Sequence, residues 1–201
     1  SPYVRPDSQL VMDDGIFYLS NSGAGKILRL TSFGDLLALY YNPDKNPRPT
    51  FIDADQTDKI MTRSAVPYPL NHPTYLAVTP NKNLFAVDTV NEERIEYDQT
   101  ENLVLRDTVI HFSETGEFVD TVGQEGVGGT PFPPIEGLYA DANNGIIVVC
   151  RTETGIRVYW YDNTGSLLYK IPIAFSGLPS PYTNEVKMFS SLDKAVPDFT
   201  S

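Results

Sequence analysis

The 201-residue sequence contains one cysteine, two histidines and no apolar run near the roughly 20 residues that a membrane-spanning helix needs. A single cysteine excludes an intramolecular disulfide. Cys150 ends the apolar run IIVVC, a position that favours a buried, unreactive thiol. The first residues, SPYVRPDSQ, lack the charged and apolar regions of a signal peptide. Either the protein is cytosolic or a leader precedes Ser1.

Clustered basic charge is also lacking. Lysine and arginine number 15 against 26 acidic residues, which gives a net charge of −11, and the basic residues are scattered along the chain. Because phosphate binding depends on clustered lysine and arginine, the sequence predicts no nucleic-acid partner. Acidity of this size mostly favours solubility.

The sequence has no recognisable catalytic motif: no G-x-S-x-G, no H-E-x-x-H and no paired cysteines. His72, before a proline, and His111, in the run VIHF, are explained by packing. The segment 20–26 resembles a phosphate-binding loop but lacks its first glycine and its final Ser or Thr, so a strand hairpin is predicted there. The acidic stretch 53–58 lacks the glycine of a calcium loop. We therefore predict no catalytic residues, no metal site and no cofactor.

What the sequence does contain is a repeat. Three segments share one order of short β-branched and aromatic runs separated by Asp, Asn and Gly turns, and no stretch shows a helical period. Each segment is read as four strands; the third strand of the second segment is predicted to run over 103–112. The approximate segments are 9–43, 72–124 and 134–175.

Recurring turns at matching places favour a β-propeller over a β-sandwich. The predicted fold is all-β: one propeller over residues 1–201 with about three four-stranded blades, and residues 176–201 leading into a further blade. Since propellers typically have 4 to 8 blades, the ring is partial. Three explanations stay open: a fragment, a missing partner segment, or two copies that complete a six-bladed ring.

One stretch resembles the NHL repeat. A proline precedes the strand over 74–78, and Asn83 to Asn91 (NLFAVDTVN) is similar to the repeat's strand and its Asp-Thr-x-Asn end, with Arg94-Ile95 following. Asn21 and Arg151 stand near the place of Asp88 in the other two segments. More widely, the chain is similar to spirochaetal predicted lipoproteins with NHL-type propellers. This resemblance implies an extracytoplasmic, periplasmic or membrane-anchored protein, associated with the membrane only through an N-terminal lipid anchor that is not in this sequence.

Loop lengths distinguish the two faces of the predicted propeller. Long connections over 42–73, 89–103, 123–134 and 173–184 lie on one face, and tight turns lie on the other. Long loops are often functional, so the long-loop face is predicted to bind a partner. The predicted contact residues are Arg48, Tyr68, Arg94, Phe132 and Arg151.

The leading hypothesis is a non-catalytic binding or scaffolding module of the cell envelope that engages a protein or envelope component through this face. The alternative is a metal-dependent hydrolase similar to the lactonases of six-bladed propellers, for which Glu136 and Asp88 are candidate ligands. A purely structural platform is a third interpretation, which the sequence does not separate from the first.

Overall fold

A computed structural model describes residues 8–12, 14–50, 63–174 and 196–198. These residues form three sheets, each built on four antiparallel strands in chain order, and a separate two-stranded hairpin. The innermost strands of successive sheets contact one another, as strands around a propeller axis do. The fold is therefore a β-propeller with three four-stranded blades in the described chain, which contains no α-helix and no helix able to cross a membrane.

The first blade begins at Ser8 and acquires a fifth strand from the connection that follows it. Its antiparallel strands are β1 (Ser8–Val11), β2 (Phe17–Asn21), β3 (Lys26–Leu30) and β4 (Leu36–Tyr41). Strand β5 (Ser64–Pro67) pairs in parallel with β4 and covers its edge. The segment 20–26 is the β2–β3 hairpin, as predicted.

The second blade has a long connection where one was predicted, but this connection contains a hairpin that the sequence did not predict. Its strands are β6 (Leu76–Val78), β7 (Leu84–Thr89), β10 (Asp107–Phe112) and β11 (Phe118–Gly123), and β12 (Gly126–Val127) extends the edge. Between β7 and β10 lie a 3-10 turn (Glu92–Arg94) and a separate hairpin of β8 (Glu96–Asp98) and β9 (Leu103–Leu105). The predicted single strand over 103–112 is therefore wrong: it divides at Arg106 into β9 and β10.

The third blade follows the prediction closely. Its strands are β13 (Ile135–Ala140), β14 (Ile146–Arg151), β15 (Gly155–Tyr161) and β16 (Leu167–Ala174). The predicted continuation over 176–201 lies outside the described residues, apart from 196–198.

The turn between the third and fourth strands is the same in all three blades. Gly34, Gly116 and Gly165 each occupy it with a φ between 78° and 89°, a region that favours glycine. A register shift precedes the turn in each sheet, at Arg29/Leu30, His111/Phe112 and Trp160/Tyr161. One bulge and one turn geometry, repeated three times, identify the blades as structural repeats.

The core lies between blades. Tyr18, Ile27 and Tyr40 of the first blade pack against Leu84 and Phe112 of the second. The second interface joins the second and third blades through a set of buried side chains that includes Phe85, Val109, Phe132, Tyr159 and Tyr161. Full burial of a large apolar side chain contributes about 1.5–3 kcal/mol to the free energy of unfolding.

The cysteine and one histidine are packed as predicted. Cys150 lies in the second interface with no exposed surface, and burial raises the pKa of its thiol well above its usual value. His111 stacks on Phe85 with ring centroids 4.3 Å apart. The prediction for His72 is wrong, because its side chain is exposed.

Candidate interaction face

The connection between the first two blades is held by Asp88, at the end of β7. Its carboxylate accepts hydrogen bonds from the backbone amides of Asn71 (2.8 Å), His72 (2.5 Å) and Thr89 (2.8 Å). Asp88 is only 2% exposed. Burial raises the pKa of this carboxyl, and the three amide donors oppose part of that rise. The carboxylate is therefore committed to closing this connection.

Asp107, at the start of β10, holds the next connection. One of its carboxylate oxygens accepts from the amide of Ile135 (2.8 Å), and its backbone exchanges hydrogen bonds with Phe132. Burial raises the pKa of the Asp107 carboxyl, and the donor from Ile135 and the Arg106 guanidinium lower it in part. The buried carboxylates of the second blade thus fix where the first and third blades attach.

The inserted hairpin of the second blade exposes an apolar surface. Leu103 and Leu105 of β9 are buried, whereas Val104 between them is 46% exposed. Val104 pairs directly across the hairpin with Tyr97, which is 55% exposed. Ile95, which is 44% exposed, is the C-cap of the 3-10 turn directly before β8. Ile95, Tyr97 and Val104 together are called the hairpin patch below.

The hairpin is fastened to the third blade. Glu101 forms an ion pair with Arg157 of β15, with a separation of 2.5 Å. The side-chain amide of Asn102 donates a hydrogen bond to the carboxylate of Glu153 at 3.0 Å. The base of the insertion is closed by a hydrogen bond from the amide of Val90 to the carbonyl of Arg106 (2.8 Å). The insertion starts in one blade and is attached to the next, which restrains the hairpin patch.

A pair of charged side chains lies near the start of β13, the innermost strand of the third blade. Arg151, at the end of β14, donates to Glu136 of β13 at 2.8 Å, and both side chains are about one-third exposed. Tyr75 lies nearby, and burial, reinforced by the negative charge of Glu136, raises the pKa of its hydroxyl. The pairing of Glu136 with Arg151 leaves no isolated charge at this position.

The predicted contact residues lie in different surroundings. Arg48 and Arg94 are exposed, and Arg94 ends the 3-10 turn directly before the hairpin patch. Arg151 is engaged with Glu136, as described above. The predictions for these three arginines remain predictions, and only Arg94 adjoins the hairpin patch.

The two predicted aromatic contacts are packing residues to different degrees. Phe132 has no exposed surface and packs edge-on against Tyr159, with ring centroids 5.2 Å apart. The prediction that its side chain contacts a partner is wrong, because it fills the interface between blades. Tyr68 is half-buried and stacks on Phe118 at 5.0 Å. Burial, reinforced by the charge of Asp88, raises the pKa of its hydroxyl, and Arg94 opposes part of that rise.

The candidate metal ligands already have partners. Asp88 is bound by three amides and Glu136 by a guanidinium, and within the described ranges no group of three His, Cys, Asp or Glu side chains is placed to hold a metal ion. The acidic stretch 53–58 lies outside the described residues. No observation in the described part of the chain favours the metal-dependent hydrolase.

The hairpin patch was missed because of how its sequence reads. The run LVLRDTVIHF looks like one long strand, which hid β9, and EYD has too little apolar character to predict β8 by itself. A signal was present in the four polar residues Gln99 to Asn102, whose length and composition suit a hairpin loop.

Solved structures similar to this chain are β-propellers of low sequence identity. They include streptogramin B lyase (13% identity, 83% of this chain and 40% of that chain, TM-score 0.45) and the Dos1 propeller (10%, 86% and 48%, TM-score 0.40). Virginiamycin B lyase from Staphylococcus aureus is a third (14%, 86% and 55%, TM-score 0.38). The chain thus spans about half the length of these proteins, and the likeness carries no functional argument. The sequence matches no protein-family model and no curated protein.

Proposed function

We propose that this protein is a non-catalytic binding or scaffolding module that engages a protein partner through the hairpin patch on its long-loop face. The observation that carries the proposal is the exposure of Ile95, Tyr97 and Val104 on a hairpin that two polar contacts fasten to the neighbouring blade. An aromatic side chain presented on a restrained element loses little conformational entropy on binding.

The cellular setting is part of the same proposal. We place the protein in the cell envelope, as an NHL-type propeller of an extracytoplasmic lipoprotein held at the membrane by an N-terminal anchor. The resemblance of 83–91 to the NHL repeat supports the family assignment, and the position of Asp88 at the end of its strand is compatible with it. The location rests on the resemblance alone.

The hairpin patch is favoured over the single exposed side chain of Phe33 because two of its members, Tyr97 and Val104, pair across the hairpin. Phe33 is 92% exposed, but it stands alone at the tip of a tight turn. Single exposed apolar residues are common on protein surfaces, whereas a contiguous group marks an interaction site more often.

The test is a comparison of partner capture by two variants. The doubly substituted Tyr97→Ser, Val104→Ser protein and the Phe33→Ser protein are expressed with a purification tag in the source cells, crosslinked and captured. Since buried aromatic anchors each contribute about 2 kcal/mol or more to binding, the double variant is expected to lose more than about ten-fold of the captured partner.

The Phe33→Ser protein is the matched control, because it removes a more exposed aromatic side chain from the opposite face. It should capture the partner as the unsubstituted protein does. Equal capture by the unsubstituted protein and the double variant would remove the hairpin patch from the proposal. Thermal unfolding of both variants checks that each remains folded.

A further inference from the structure

The sequence around the hairpin patch is acidic. Residues 92–101 contain five carboxylates and one basic residue, Arg94. Two of the carboxylates are engaged: Glu101 pairs with Arg157, and Asp98 accepts hydrogen bonds from the turn amides of Thr100 and Glu101. The other three are exposed and, within the described part of the chain, form no ion pair: Glu92, Glu93 and Glu96.

We infer that the segment which occupies the hairpin patch is cationic: a stretch of a partner protein in which lysine or arginine flanks an apolar side chain. This inference rests on the proposed function and names the chemistry of its partner. The apolar side chain of that segment covers Tyr97 and Val104, and its basic groups pair with the carboxylates beside them. The apolar surface supplies affinity, and the charges select the partner.

The arrangement of the acidic residues supports this choice. Glu92 and Glu93 precede the patch in the 3-10 turn, and Glu96 directly precedes Tyr97 in β8, with its side chain on the other side of the strand. Because the Debye length is about 8 Å at physiological salt, a carboxylate near the patch still attracts a basic group that docks there. An acidic partner would therefore meet uncompensated like charge, which is costly at an interface. The net charge of −11 favours approach of the same class of partner.

The binding test uses three fluorescent ten-residue peptides. The first alternates lysine with leucine and tyrosine, the second replaces each lysine by glutamate, and the third replaces each apolar residue by serine. Fluorescence anisotropy with the folded protein is expected to show binding of the first peptide only, and about ten-fold weaker binding at high salt. Binding of the glutamate peptide as tight as that of the lysine peptide would overturn the inference.

Charge-neutralising variants locate the effect. Glu93→Gln with Glu96→Gln removes two exposed carboxylates that are next to the hairpin patch in the sequence, and Glu114→Gln with Glu117→Gln removes two exposed ones from a tight turn of the same blade. Both double variants change the net charge equally. The first double variant is expected to bind the lysine peptide about five-fold more weakly or worse, and the second less than two-fold more weakly. Equal weakening by the two variants would show attraction to the whole acidic chain and overturn the inference.

The two proposals fail in different ways. If Tyr97→Ser, Val104→Ser abolishes partner capture while Glu93→Gln, Glu96→Gln leaves capture unchanged, the patch binds a partner whose charge is irrelevant, and only the inference fails. If the apolar double variant captures the partner normally, the proposed function fails whatever the peptides show.

Discussion

The two ends of the blades are built by different rules. At the tight-turn end, Thr31, Ser113 and Asp162 occupy the same place, and the side-chain oxygen of each accepts a hydrogen bond from the backbone amide four residues later. At the long-loop end, the described residues show no such repetition. Asp88 and Asp107 close the connections around the second blade, and Arg151 pairs with Glu136 in the third.

The difference shows which part of the repeat is open to change. A tight turn is determined within five residues, so the same local chemistry works in every blade. A long connection is determined by contacts between residues distant in sequence, so each connection has its own solution. The insertion that carries the hairpin patch arises at the end where local rules do not fix the chain.

The largest expected effect compares a carboxylate at each end. Asp88→Ala leaves three backbone amides in a buried site without their acceptor and is expected to cost about 3 kcal/mol or more of unfolding free energy. Asp162→Ala removes an exposed carboxylate that also accepts from two backbone amides, and water replaces it there. Urea unfolding of both variants measures the contrast. Equal losses would show that burial of the acceptor is not what distinguishes the two ends.

The same contrast explains what sequence reasoning found. The strands of the first and third blades were predicted closely because β-branched and aromatic runs lie between turns whose residues, such as Gly34 and Gly165, have a local conformational cause. The exposed cluster was not predicted, because Tyr97 and Val104 meet only through a hairpin that the pattern concealed.

Burial in the loops was equally hard to foresee. Phe132 stands between two prolines in a segment that reads as a surface loop, yet the segment returns to β10 and places the ring between blades. Strand β5 was not predicted, because it pairs with β4 from more than twenty residues away in the sequence, and no local pattern encodes such a contact.

The effect of intermediate size compares alanine substitutions in two tight turns, one of which is covered by β5 and one of which is not. Gly116 and Gly34 have nearly the same φ, 89° and 88°, so alanine at either position costs about 1–2 kcal/mol from backbone strain. At Gly116 a new methyl would also lie 2.9 Å from Val66 of β5, whereas at Gly34 nothing lies within 4 Å. Gly116→Ala is therefore expected to be about 1 kcal/mol more destabilising than Gly34→Ala.

Thermal or urea unfolding of both glycine variants measures that difference. Because the strain is shared, the excess at Gly116 reports the packing of β5 against the second blade. A Gly116→Ala, Val66→Ala double variant should lose the excess, and persistence of the excess there would assign it to some other contact.

The smallest expected effect is a pH dependence from Asp107, at the long-loop end. Burial raises the pKa of this carboxyl above its usual value of 3.8, so the folded protein holds the proton to a higher pH than the unfolded chain does. The stability from this group is present below the unfolded pKa and is lost as the pH rises through the folded one. Asp107→Asn keeps an oxygen to accept from Ile135 but does not titrate. From pH 3 to pH 7, the unfolding free energy of the unsubstituted protein should therefore fall relative to that of the variant. If the difference between the two free energies stays constant or rises, the buried carboxyl is held ionised by Arg106 and the amide of Ile135.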